Sequence, residues 1–263
     1  MDYALTESLF TLGLFAGMLL FLEIGRRIGA RRLAQGSEGA AGIGAVEGAI
    51  FGLLGLLIAF TFSGAASRFD TRRHLIVEET NAIGTAYLRL DLLSASAQPP
   101  LREHFRRYVD SRLEAYRKLP DIAAAKAEAA RATKLQEEIW SQAVAACRAE
   151  GSSPATMLLL PALNAMIDIT TTRTMALQAH PPTVIFVMLF GLALAASLLA
   201  GYGMASSRSR SWLHMLGFAA VTAGAIYVIL DIEFPRLGLI RIDAFDRALV
   251  ELRESMNDPT AAR

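Results

Sequence analysis

One uninterrupted stretch, residues 44–93, constrains the fold most strongly. It begins as the apolar run GAVEGAIFGLLGLLIAFTFSGAA and continues, without a proline, into the charged segment SRFDTRRHLIVEETNAIGTAYLRLDLL. The first part is long enough to cross a bilayer, and the second alternates apolar and polar residues at helical spacing. We therefore predict one long helix that leaves a membrane and continues as the first helix of an extramembrane domain.

The composition supports a membrane protein. Of the 263 residues, 53% are hydrophobic and only 19% are charged, and the apolar residues are clustered. The formal net charge of +1 gives no basic field that would indicate a nucleic-acid partner. The single cysteine, Cys147, excludes an intrachain disulfide and a cysteine-rich metal site.

Three further segments have the length and apolarity of membrane spans. They are residues 4–22, 182–204 and 212–230, and they join the second span at residues 45–66. The first is not preceded by a basic region, since Asp2 and Glu7 are acidic, and so we interpret it as a retained span rather than a signal peptide. The sequence thus predicts an all-α membrane protein with four transmembrane helices.

A helical insert is predicted between the second and third spans. The first helix continues to the Gln98-Pro99-Pro100 break, and three more follow at residues 100–119, 121–150 and 154–178. Asp121 is placed as an N-cap. The predicted domains are residues 1–66 (two spans), 67–181 (the insert), 182–232 (two spans) and 233–263 (a turn and helix).

The predicted connections set the topology. Residues 35–44 form a linker, residues 206–211 form a short loop with Arg208 and Arg210, and the tail, residues 257–263, is disordered. Four spans place both termini and the insert on one side of the membrane. The arginines of the short loops favour those loops inside, but the basic residues nearly balance across the two sides, so the side remains open.

Small residues recur along the second span. Gly48, Gly52, Gly55 and Ala59 lie at helical spacing, which allows close approach of another helix in lipid. One interpretation is close packing against the other spans. The other is a pore in an oligomer, with a hydrophobic constriction at Ile58 or Phe62.

Two polar segments are expected to meet near the membrane. If the helices that carry them are antiparallel, Glu79 and Asn81 face Asp168, Thr172 and Arg173. One interpretation is a polar network that locks two helices together. The other is an ion vestibule, whose selectivity the mixed charges leave open.

The fourth span is followed by a charged turn. Asp231 and Glu233 precede Pro235, Arg236 and Gly238. We interpret these residues as a turn held by an acid–arginine pair, where proline ends the helix and glycine allows the reversal. An extended segment, residues 240–242, and a last helix, residues 244–256 capped by Asp243, are expected to follow.

Enzyme signatures are absent from the sequence. It holds no phosphate-binding glycine loop, no H-E-x-x-H and no G-x-S-x-G, and its four histidines are scattered. We therefore expect no catalytic activity, no cofactor and no metal site.

Three blocks of the chain resemble a bacterial family of membrane proteins described as bestrophin-like. These blocks are LLGLLIAFTFSGAASRFDTRRHLIVEETNAIGTAYLRLDLL, NAMIDITTTR with the following HPP, and YVILDIEFPRLGLIRID. True bestrophins are pentameric anion or cation channels whose second span lines the pore. The resemblance implies pore or neck positions at Phe51, Gly55, Ile58 and Phe62. One departure is residues 68–73, which lack the tryptophans that bestrophins carry there.

The resemblance implies an oligomeric ion channel of the bacterial inner membrane, with the lipid bilayer, other copies of the chain and inorganic ions as partners. The alternative is a membrane-anchored scaffold or sensor whose helical domain binds a partner, without a pore. A transporter is a third, weaker hypothesis, because the sequence lacks obvious paired broken spans. Bestrophins hold their helical domain in the cytoplasm, whereas the arginine distribution favours the opposite side.

Overall fold

The structure is a computed structural model that describes residues 3–35, 43–151, 153–206 and 211–257. Within those ranges it is helical and contains no strand, which confirms the all-α prediction. The helices are α1 (Tyr3–Ala34), α2 (Ile43–Leu88), α3 (Gln98–Arg117), α4 (Ile122–Glu150), α5 (Ser153–Gln178), α6 (Thr183–Gly203), α7 (Trp212–Glu233) and α8 (Arg247–Ser255). Short 3-10 turns occupy Arg89–Leu92, Met204–Ser206 and Asp243–Asp246.

Some predicted features lie outside the described residues. These are most of the predicted linker (residues 36–42), Ser152, the loop arginines Arg208 and Arg210, and the tail from residue 258 onward.

The chain divides into two compact units. Unit 1 comprises Met1–Ser67 and His180–Leu239, and unit 2 comprises Arg68–Ala179 and Ile240–Arg263. Four helical stretches are long and apolar enough to cross a membrane: Leu5–Ala34, Gly44–Leu92, Pro154–Ser206 and Trp212–Glu233. The chain is a membrane protein with several apolar helices.

In unit 1, α1 and α6 approach each other most closely, at glycines. A Cβ atom added at Gly25 would overlap the backbone carbonyl of Leu198, and one added at Gly201 would overlap the backbone carbonyl of Leu22. Such contact between backbones requires residues without side chains. Close packing was predicted for the glycines of α2, and this pair of glycines on α1 and α6 was not predicted.

The small residues of α2 are arranged differently. No described atom lies within 4 Å of a Cβ built at Gly48, Gly52 or Gly55. The expected packing of this stripe against other spans of the same chain is therefore wrong, because the residues of α2 that are covered in unit 1, such as Leu54 and Ala65, lie on another face.

In unit 2, α3, α4, α5 and α8 surround an apolar core together with the second part of α2. Its largest fully buried side chains include Tyr108, Phe105, Leu90, Ile139 and Leu163. The C-terminal helix α8 contributes Leu249, which is fully buried. The hydroxyl of Tyr87 donates to the carbonyl of Met256 at 3.2 Å, which holds the end of α8 in place.

Of three predicted helix boundaries, one agrees with the structure and two differ. Asp121 caps α4, since its Oδ1 accepts from the amide of Ala124 at 3.0 Å, and the predicted cap is confirmed. The prediction that Pro99 and Pro100 end the first insert helix is wrong. That helix ends at Leu88 and a 3-10 turn follows, while the prolines lie in the first turn of α3, where amide groups have no helical partners.

The predicted cap at Asp243 is also wrong. Helix α8 begins at Arg247, and Asp243 begins a 3-10 turn in which its Oδ2 accepts from Nε of Arg241 at 2.5 Å. The preceding Ile242 is not extended, with φ −99° and ψ 4°. The competing side-chain interaction of Asp243 thus replaces the expected cap.

Candidate pore helix and buried charge cluster

Glu79 lies at the centre of a buried charge cluster in unit 2. It is carried by α2 and is fully buried. Nε of Arg112 on α3 donates to its Oε1 at 2.6 Å, and Nη2 of Arg112 lies 3.3 Å from its Oε2. Nη1 of Arg173 on α5 donates to the same Oε2. One carboxylate therefore joins three helices.

Tyr116 completes the cluster. Nη2 of Arg112 donates to the Tyr116 hydroxyl at 2.7 Å. The guanidinium of Arg173 lies 4.7 Å from the centre of the Tyr116 ring, in the range of a cation–π contact. These contacts satisfy further donors of the two guanidinium groups, as burial of charge requires.

The structure brings together only part of the predicted polar cluster. Glu79 and Arg173 are in contact, whereas Asn81, Asp168 and Thr172 are exposed. The hydroxyl of Thr172 donates to the carbonyl of Asp168 within α5, at 3.2 Å. These three side chains are exposed because they lie on other faces of their helices than Glu79 and Arg173 do.

Sequence reasoning missed Arg112. It lies on the apolar face of α3 with Phe105, Tyr108 and Val109, all of which are buried. A charged residue on such a face needs a buried partner of opposite charge. That position was the signal in the sequence that could have identified Arg112.

Arg72 makes a second link between α2 and α5. It is buried, and its Nε and Nη2 donate to the carbonyls of Ala176 and Ala179, each at 3.1 Å. The last carbonyls of a helix have no partners within the helix, so a donor from elsewhere stabilises that end.

The pKa values of Tyr108 and Glu128, both in unit 2, are shifted from their ordinary values. Burial raises the pKa of Tyr108 to about 12, although Arg112 nearby and a hydrogen bond from Gln136 at 3.0 Å act in the opposite direction. The pKa of Glu128 is lowered, chiefly by a hydrogen bond from Nζ of Lys118 at 2.6 Å.

The four predicted pore positions lie on one face of α2. Their spacing of four, three and four residues is helical. Phe51 and Ile58 are half-buried, and the Phe51 ring meets the ring of Phe218 on α7 edge to face, with centroids 5.9 Å apart. Gly55 and Phe62 are exposed. This face runs along the border between the packed and the open side of the helix.

The predicted charged turn of unit 1 is closely built. Oδ1 of Asp231 accepts from the amide of Leu239 at 2.7 Å, and a Cβ at Gly238 would overlap that carboxylate. Asp231, Glu233 and Arg236 are buried, as is Pro235.

His180 is an unexpected member of this turn. Its Nδ1 lies 3.4 Å from Oε2 of Glu233, and its ring stacks on Phe234 with centroids 4.4 Å apart. No signal in the sequence indicated that His180, which lies 53 residues before Glu233, would meet this turn.

Comparisons with known proteins agree on one family and one fold. A profile of the Bestrophin-like domain matches residues 13–244. A single-residue variant of a bacterial bestrophin homologue from Klebsiella pneumoniae has 13% sequence identity and a TM-score of 0.72, over 94% of this chain and 99% of the other. A second structure of such a homologue from the same organism, phased with zinc, has 14% identity and a TM-score of 0.67, over 90% and 97%. Among curated proteins, nothing matches the sequence.

Proposed function

The chain belongs to the bestrophin-like family, and from this premise we propose that it forms an oligomeric ion channel in the bacterial inner membrane. The channel is a ring of identical subunits, and a pentamer follows from the family resemblance. The ions that it carries are inorganic.

The proposed architecture has four spans, which are α1, the first part of α2, α6 and α7. The helical insert, residues 67–181, lies between the second and third spans, and residues 233–263 follow the fourth. The four apolar helical stretches support this arrangement, because each contains a segment with the length and hydropathy of a membrane span. The division of the compact units within α2, between Ser67 and Arg68, also supports it.

The open face of α2 is the observation that carries the proposal. Gly48, Gly52 and Gly55 have no described atom within 4 Å of an added Cβ, and Phe62 is 44% exposed. A helix with small residues along an open face is suited to a ring in which neighbouring copies stand close together. Phe51, Ile58 and Phe62 then form the apolar neck, with Gly55 between them.

The exposed polar residues of unit 2 are proposed to line a vestibule. Asn81 on α2 and Asp168 and Thr172 on α5 are free of the buried cluster and accessible to water. In the same proposal Glu79 and Arg173 hold these two helices together rather than contact ions. The turn of Asp231, Glu233, Pro235, Arg236 and Gly238 closes the end of α7 in a fixed geometry.

Flux measurements on the purified chain in liposomes test the channel proposal. Ion flux in at least one of sodium, potassium or chloride salts is expected, together with a closed ring of subunits after cross-linking in the membrane. Absence of flux in all of these salts contradicts the proposal.

A membrane-anchored scaffold is the second candidate. The independent core of unit 2, which includes α3, α4, α5 and α8, favours it, because such a domain can present a binding surface without a pore. A monomer or dimer without conductance would support the scaffold. A conducting ring would exclude it as the sole function.

A further inference from the structure

A cavity of about 540 Å³, open to solvent on one side, lies between α4 and α5, close to the turn that joins them. Its lining includes Trp140, Val144, Cys147, Arg148, Met157 and Leu160. All of these residues belong to unit 2. The volume is in the range of pockets that hold small organic ligands, which is roughly 300–1,000 Å³.

The walls of the cavity suit an apolar body. Cys147 is buried in the core of unit 2, and Trp140 and Leu160 pack against that core from the cavity side. Met157 is 71% exposed, so a flexible thioether lies at the rim. Aromatic and thioether side chains adapt well to apolar ligands, because they are polarisable and amphipathic.

One charged side chain is placed to select the ligand's polar group. Among the described residues that line the cavity, Arg148 is the only charged one. In the part of the chain that the structure describes, it makes no hydrogen bond and no ion pair. By contrast, Arg112 pairs with Glu79, and Arg253 pairs with Asp110. A guanidinium binds a carboxylate through two parallel hydrogen bonds, which is a stronger contact than a neutral one.

We propose that this cavity binds a small amphipathic carboxylate, with its apolar body between α4 and α5 and its carboxylate on Arg148. The location of Arg148 in the last turn of α4 also complements the helix dipole, but that role alone would not require an adjacent apolar cavity. The site lies outside the pore helix, and the proposal does not depend on conduction.

The chain carries its own reporters for a binding experiment. It has two tryptophans and one cysteine, and Trp140 and Cys147 both line the cavity. The W212F variant in lipid nanodiscs leaves Trp140 as the single tryptophan, whose fluorescence is excited selectively near the red edge of the absorption band. Titration with octanoate is expected to change its fluorescence saturably and to slow alkylation of Cys147. The R148Q variant is expected to bind octanoate at least about tenfold more weakly, because a charge-assisted contact is lost.

Two controls separate binding from partition into lipid. In the W140F variant only Trp212 reports, and it is expected not to respond to octanoate. Octanol has the same apolar body without the charge, and it is expected to bind the W212F variant about tenfold more weakly than octanoate does. Circular dichroism of the R148Q variant is expected to match that of the parent, since Arg148 is exposed.

Several results would overturn the proposal. An unsaturable response, or an equal response of Trp212, would mean partition into the membrane only. Equal affinity of octanoate and octanol, or unchanged affinity in the R148Q variant, would remove the carboxylate from the site. A third result would also overturn it: no change in Trp140 fluorescence, together with slow alkylation of Cys147 even without octanoate. That result would mean that another copy of the chain covers the cavity.

Discussion

Arg112 donates from Nε to Oε1 of Glu79 at 2.6 Å, and so links α3 to α2 at a point that is closed to water. Arg173 approaches the other carboxylate oxygen. A buried carboxylate with two guanidinium groups is sensitive to the loss of any member, because the remaining charges cannot be solvated.

Replacement of Glu79 by Gln should therefore destabilise the protein strongly. Two buried guanidinium groups would lose the carboxylate that they share, and breaking a buried ion pair in this way costs about 3–5 kcal/mol. Thermal unfolding in detergent or nanodiscs measures the change. The neighbouring Glu78 is exposed, so E78Q is the matched control and should change stability by less than about 0.5 kcal/mol. Equal stability of E79Q and E78Q would contradict the importance of the cluster.

The crossing of α1 and α6 gives a second prediction. In the G25A variant the new methyl group would overlap the carbonyl of Leu198, so the two helices must separate. We expect a loss of about 1–3 kcal/mol, which is typical of overpacking. Gly13 lies on the same helix with no described atom near its Cβ position, and G13A serves as the control. Unfolding in detergent compares the stability of the two variants. If G25A and G13A were equally stable, the close backbone contact between α1 and α6 would be contradicted.

The neck proposal predicts a contrast between two phenylalanines of α2. Phe62 shares the face of Gly55 and Ile58, while Phe60, which is 66% exposed, lies on the opposite side of the helix. Under the channel proposal, F62A should raise ion flux severalfold by removing an apolar barrier, and F60A should leave it near the parent value. Liposome flux assays at matched protein density measure both. If F60A raised flux more than F62A did, the face of α2 assigned to the pore would be wrong.

Tyr108 gives a prediction for pH dependence. Burial raises its pKa to about 12 from an ordinary value near 10, so the folded state holds this proton when the unfolded state has released it. Stability that is complete below pH 10 should therefore fall as the pH rises from 10 towards 12. Titration of phenolate absorbance should show one tyrosine fewer at the alkaline end in the Y108F variant. If the tyrosine lost in the Y108F variant were instead one that titrates near pH 10, the raised pKa of Tyr108 would be contradicted.

The order of helices along the chain was predictable because it depends on local patterns. The apolar run that passes into a charged segment specified α2, and Asp121 specified the start of α4. The end of the first insert helix was predicted too far along the chain, because proline is tolerated both after a helix and in the first turn of the next one. Local sequence did not decide between these alternatives.

The contacts between helices were less predictable. Glu79 and Arg173 were expected to face each other, but Arg112 was missed because its partner lies 33 positions earlier on another helix. The glycines of α1 and α2 look alike in the sequence, yet among the described ones only Gly25 and Gly29, both on α1, approach the backbone of another helix. Which glycine stripe is packed depends on the arrangement of helices, and a single helix does not encode it.

The two hydrogen bonds from Arg72 have a consequence for the order of assembly during synthesis. The acceptors, Ala176 and Ala179, follow the donor by 104 and 107 residues. Arg72 therefore leaves the ribosome well before the carbonyls that it binds, and α2 is already synthesised when the end of α5 emerges. In a polypeptide that begins after α2, the carbonyls at the end of α5 would lack the donor groups of Arg72. We therefore expect α5 to be fully stabilised only when α2 is present.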